Sequence, residues 1–190
     1  MTDNMHDLNN AGGQRAYEVI PAGTVAALQL RLRSGTAATD FLVKAQDGAS
    51  SGLDCEFTVI DDGPYKGRKL WQRYTMCGDR PGHAEAGRIS CNTMRAILES
   101  ARGIRPDDAS EAAQEARRIK DWGALDGLCF LARLGVRPPQ NGFDAKNTIL
   151  EVITPDRPGW RQVAQIPVAA SAATGTAATA AAIVRPEWAS

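Results

Sequence analysis

Three strand-like segments, one long helical segment and two further strand-like segments follow one another in this chain. That order constrains its fold more than any other feature. From about Thr24 to Arg33, Ala26, Leu28, Leu30 and Leu32 alternate with Ala27, Gln29, Arg31 and Arg33, the period of a half-buried strand. A second strand spans about Leu53 to Ile60, with Cys55, Phe57 and Val59 on one face. The turn DDGPYKG follows, its Gly-Pro pair and second glycine marking a hairpin. The third strand, about Arg68 to Cys77, sets Leu70, Gln72, Tyr74 and Met76 on one face and Lys69, Trp71, Arg73 and Thr75 on the other.

The helix is expected over about Ala84 to Arg102. Ile89, Met94, Ile97, Leu98 and Ala101 cluster on one side, with Arg88, Arg95 and Arg102 opposite. Gly103 stops it. A second helix starts near Asp108, where Asp108 and Glu111 have capping-box spacing, and runs to about Lys120. Strands at about Leu125–Val136 and Lys146–Thr154 complete the series, while Ser34 to Gly52 reads as a long loop or an irregular excursion around the weaker segment FLVKA.

The predicted class is therefore mainly β with helices: an OB-like five-stranded barrel with a helical insertion between strands three and four. The open face of such a barrel commonly binds single-stranded nucleic acid or oligosaccharide. An open antiparallel α+β sheet with a helical pair is the alternative, because periodicity does not show closure. The expected domain covers residues 16–166. Residues 1–15, rich in Asn, Asp and Gly, are expected to be disordered, and the Ala/Thr-rich stretch 167–190, ending RPEWAS, to be a flexible tail.

Basic and acidic residues balance at 22 each, so a nucleic-acid reader of this composition must concentrate its cations locally. No basic segment followed by an apolar one opens the chain, and no apolar run has membrane-spanning length, which points to the cytoplasm and away from a membrane. Cys55, Cys77, Cys91 and Cys129 form no C-x-x-C pair and fit a reduced setting.

Single-strand binding needs cations to follow phosphates and flat aromatic faces on which bases stack. Lys69, Trp71 and Arg73 supply both on one side of the third strand. The hairpin adds Tyr65, Lys66 and Arg68, with Tyr65 and Trp71 as the stacking candidates. Arg31 and Arg33 on the first strand, and Arg133 on the fourth, extend the surface if their faces coincide. The plainer reading has Trp71 packed beneath the helix among ordinary solvated charges. For the Arg88, Arg95, Arg102 stripe, accompanied by Glu85 and Glu99, a solvent-facing helix is the simpler account.

Catalytic patterns are weak. Asp54 and Glu56, with Asp61 and Asp62 following, would suit a divalent ion in phosphodiester hydrolysis, but no lysine follows at nuclease-like spacing. Cys77, His83 and Cys91 match no zinc spacing. His6 and His83 accompany no nucleophile elbow, and Cys55 and Cys129 sit in apolar strands as inert thiols. No enzyme, metal or cofactor is expected.

At Asp54-Cys55-Glu56-Phe57, Gly63-Pro64-Tyr65-Lys66-Gly67-Arg68-Lys69-Leu70-Trp71 and Lys146-Asn147-Thr148-Ile149, the chain resembles a phage and prophage protein family of unknown function. The resemblance covers about residues 16–160. Members tend to be encoded among recombination and replication genes, which implies single-stranded DNA binding or an accessory role beside a phage or host recombination or replication protein. The chain departs from well-known single-strand-binding proteins at its end. RPEWAS is not an acidic, Phe-terminated recruiting tail, so a partner there would have Trp188 as its anchor. A protein-interaction or assembly module without nucleic-acid binding is the competing function.

Overall fold

A computed structural model describes residues 18–33, 41–140 and 142–166. The two terminal segments expected to lack structure, and Trp188 with them, lie outside the described residues. Among these described residues, six antiparallel strands and two α-helices follow in the order β1 (Val25–Leu32), β2 (Leu42–Lys44), β3 (Ser50–Val59), β4 (Lys69–Gly78), α1 (His83–Arg102), α2 (Glu111–Arg117), β5 (Cys129–Arg137) and β6 (Lys146–Ile153).

β3 is the axis of the sheet. β4 pairs with one edge along its length, from Ser50↔Gly78 to Thr58↔Lys69. β1 pairs with the other edge over Cys55–Val59, and β2 occupies that same edge over Ser51–Leu53. β5 then pairs with β1, and β6 with β5. No ladder joins β4 to β6 among the described residues, so the sheet is open. Two expectations are corrected here: the closed barrel gives way to the open antiparallel sheet, and five strands become six. The sixth is β2, from the FLVKA segment assigned to a loop.

One face of the sheet builds the main core. Alternation in β1, β3 and β4 places Leu28, Leu30, Leu53, Phe57 and Leu70 there, joined by Phe130 and Leu134 of the continuously apolar β5, against Met94, Ile97 and Leu98 of α1. Phe57 meets the rings of Tyr74 and Phe130 edge-on, with centroids 6.4 and 5.9 Å apart, a favoured aromatic geometry. A Cβ added at Gly87 would sit 2.5 Å from the Met76 carbonyl oxygen, so only glycine lets α1 approach β4 this closely. α1 ends at Gly103 in the left-handed conformation (φ 69°), as expected. Ile89, expected on the buried side, is instead 54% exposed.

The second helix is shorter than expected and has a different cap. Ser110, not Asp108, is its N-cap, with the hydroxyl accepting from Ala113 N–H at 3.2 Å. The Asp108 carboxylate accepts from Ser110 N–H instead. Both helices are tied to Glu99, which is buried and accepts from Arg95 Nε at 2.8 Å and Arg117 Nε at 2.7 Å. Residues 122–125 form a 3-10 turn before β5, which takes in Leu125, expected as the first residue of that strand.

A second, smaller core covers the outer face of β1 and β5. Ala27, Cys129, Leu131, Ile153 and Val163 form it, with Trp160 packed alongside. The stretch after β6 is thus a fixed cover: Gln165 exchanges hydrogen bonds with both backbone groups of Cys129, and Gln29 donates to the Ile166 carbonyl. No described helix is long and apolar enough to cross a membrane.

Candidate nucleic-acid interface

Opposite α1, the sheet presents the outward residues of β1, β3 and β4. Their register generates three rows: Gln29–Thr58–Lys69, Arg31–Glu56–Trp71 and Arg33–Asp54–Arg73. Cations lie on the two flanking strands, and two acids lie on the strand between them.

Trp71 is 51% exposed. It is on the face away from the helix, because alternation sends Leu70 and Tyr74 to the core and Trp71 outward. The indole Nε1–H donates to Glu56 Oε2 at 3.1 Å, and Lys69 Nζ reaches Glu56 Oε1 at 2.6 Å. This lysine hydrogen bond is the main reason the Glu56 carboxyl titrates below its usual range, reinforced by the indole and by the charge of Arg33. Arg73 pairs with Asp54 at 2.9 Å and donates to the Val43 carbonyl at 2.5 Å. Its guanidinium therefore also fastens β2 to the sheet. Arg31 reaches Asp126 at 3.4 Å.

Arg33 is exposed and makes no ion pair among the described residues. With Trp71 and Arg73 it borders a depression of about 300 Å³ on this face.

The remaining sequence-predicted residues stand apart. Tyr65 is half-buried against the main core rather than displayed for stacking. Lys66 pairs with Asp62 at 2.5 Å in the exposed hairpin, and Arg68 donates to the Glu18 carbonyl. Arg133 pairs with Glu151 at 3.3 Å. It lies beside Val25, separated from Arg31 by the Ala27 and Gln29 positions that the chain after β6 overlies. The surface therefore ends at Gln29 and does not extend to Arg133.

Sequence reasoning missed the acids of β3 as part of this surface. Asp54 and Glu56 were candidates for a metal site, yet each is committed to a cation of β4. The signal lay in the hairpin, since pairing outward from DDGPYKG sets Glu56 opposite Trp71 and Asp54 opposite Arg73. The arginine stripe of α1 has local partners: Glu85 for Arg88, Glu99 for Arg95 and the Ala116 carbonyl for Arg102.

No family model matches the chain, and no curated protein matches it either.

Proposed function

We propose that this is a non-enzymatic single-stranded DNA-binding protein, or an accessory of phage recombination or replication, with the outer face of β3 and β4 as its binding surface. The observation carrying this reading is Trp71, an exposed indole bracketed by Lys69, Arg73 and Arg33. A base stacks on the indole while those cations meet the flanking phosphates.

Strand order supports the same reading. Without the short β2, the sequence β4–β3–β1–β5–β6 is that of an OB-like sheet left open at its last seam. In partly open OB folds the face of the second and third strands binds oligonucleotides, and here those strands are β3 and β4. Arg31, Arg33, Lys69 and Arg73 are the phosphate contacts on this face.

The acids moderate the binding. Each phosphate that engages Lys69 or Arg73 competes with Glu56 or Asp54, so affinity is modest and fewer counterions are released than the cation count suggests. Fluorescence anisotropy with labelled oligo-dT tests the reading: the combined Trp71→Ala and Lys69→Ala substitutions weaken binding. Equal affinity for the double variant and the unaltered protein removes this face from the function.

The interleaved acids favour one second reading, a protein-docking module in which the same tryptophan and arginines anchor a partner. It is distinguished by size-exclusion shifts that a protein partner produces and oligonucleotide does not.

A further inference from the structure

We infer that the open seam between β4 and β6 is a nucleobase subsite, taking a base from the same strand whose neighbour stacks on Trp71. This rests on the single-strand-binding reading and extends it to a second, chemically distinct site.

β4 and β6 run in the same direction, since each successive pairing from β4 through β3, β1 and β5 to β6 is antiparallel. They are bridged where Ile149 N–H donates to the Gln72 side-chain carbonyl at 3.3 Å. Alongside that bridge lies a groove of about 490 Å³ with α1 as its third wall. This is within the range of small-molecule sites, roughly 300–1,000 Å³.

The lining selects a base over a phosphate. Among the described residues it contains no lysine or arginine and one carboxylate, Glu151. Asn92 and Thr93 offer amide and hydroxyl groups, while Ile89 and Leu150, 54% and 67% exposed, supply apolar surface for a ring.

Tyr74 also lines the groove. The residue is only 6% exposed, and its hydroxyl is sealed from solvent with no hydrogen-bond partner among the described residues. A base edge carries both the donors and the acceptors such a hydroxyl lacks. Gln72 borders both this groove and the depression beside Trp71, so one strand can pass from the stacking face over the edge of β4 into the seam.

Photocrosslinking tests this on the full chain, with oligo-dT carrying 4-thiothymidine and mass-spectrometric mapping of the adducts. Adducts at Ile89–Thr93 or Leu150, together with adducts on β3 and β4, support the subsite. Thr93→Trp, which fills the groove from the helix, then weakens oligo-dT binding about tenfold and removes the helix adducts. Tyr74→Phe lowers affinity while leaving quenching of Trp71 at saturation intact. Adducts confined to β3 and β4, with Thr93→Trp binding like the unaltered protein, overturn the subsite while keeping the stacking face. An unaltered protein that does not bind oligo-dT overturns the underlying reading and the subsite with it.

Discussion

The carboxylate of Glu56 holds the indole of Trp71 by one oxygen, at 3.1 Å, and the ammonium of Lys69 by the other, at 2.6 Å. An acid thus stands at the centre of the surface assigned to a polyanion. It orients the ring and occupies the cation that a phosphate would use.

Replacing that acid by its neutral isostere separates the two effects. Glu56→Gln keeps a group able to accept from the indole and removes one negative charge, so oligo-dT binding tightens by a few-fold at low salt. Exposed charge pairs contribute about 0.2–1 kcal/mol, and added salt shrinks the gain. Anisotropy titrations at two ionic strengths check it, and weaker binding by the glutamine variant contradicts it.

Acid has the same direction on binding and the opposite one on stability. The folded Glu56 carboxyl lies below its ordinary value, chiefly through Lys69. Its stabilising contribution is present above the ordinary carboxylate range and is lost as pH falls through the lowered value. Binding tightens over that same fall as Lys69 is released. The Glu56→Gln protein shows neither change at this position, so the difference between the two pH profiles isolates it.

Glu99 predicts a large stability loss remote from the proposed binding face. It is buried, and Arg117, with a side chain only 15% exposed, also donates to the carbonyls of Arg105 and Asp108. Glu99→Ala leaves that guanidinium without its carboxylate, a change that typically costs about 3–5 kcal/mol. Urea unfolding measures it; a loss within experimental error would show that the Arg117 carbonyl contacts suffice.

Tyr74→Phe is expected to be neutral or slightly stabilising. It deletes a hydroxyl that is buried without a partner among the described residues, a group whose burial costs about 1–3 kcal/mol when unsatisfied. The ring contact with Phe57 is kept. Thermal unfolding decides the matter, and a clear drop in Tm contradicts it.

Thiol reactivity separates into two classes. Cys55 and Cys129 are buried, and burial pushes the Cys55 thiol up to about 12, whereas Cys77 and Cys91 are exposed. A thiol-specific reagent at neutral pH modifies Cys77 and Cys91 in the native protein and reaches the other two only on unfolding. Rapid native labelling of Cys55 contradicts the packing of β3.

The strands were legible where one face is buried and the other is not. Leu28 to Leu32 and Cys55 to Val59 carry that contrast directly. β2 does not, because three residues held by pairing to β3 and by the Arg73–Val43 contact leave no periodic trace. Leu125 was merged into the following strand because a continuous apolar run has no period to distinguish a 3-10 turn from a strand. The basic-aromatic face was visible on β4 alone. Its acids became part of it only through cross-strand register, and Arg133 was excluded by the cover laid down after β6.

Indole proton–nitrogen correlation spectra during an oligo-dT titration address the stacking face most directly. Trp71 is exposed, while Trp122 and Trp160 are partly buried in the two cores. The expected result is a saturable shift of the Trp71 Nε1–H signal as its bond to Glu56 is perturbed, with the Trp122 and Trp160 signals unmoved. A Trp71 signal that stays in place while oligonucleotide binds, or a complete absence of binding at the highest oligonucleotide concentration, contradicts the assignment of this face to single-stranded DNA.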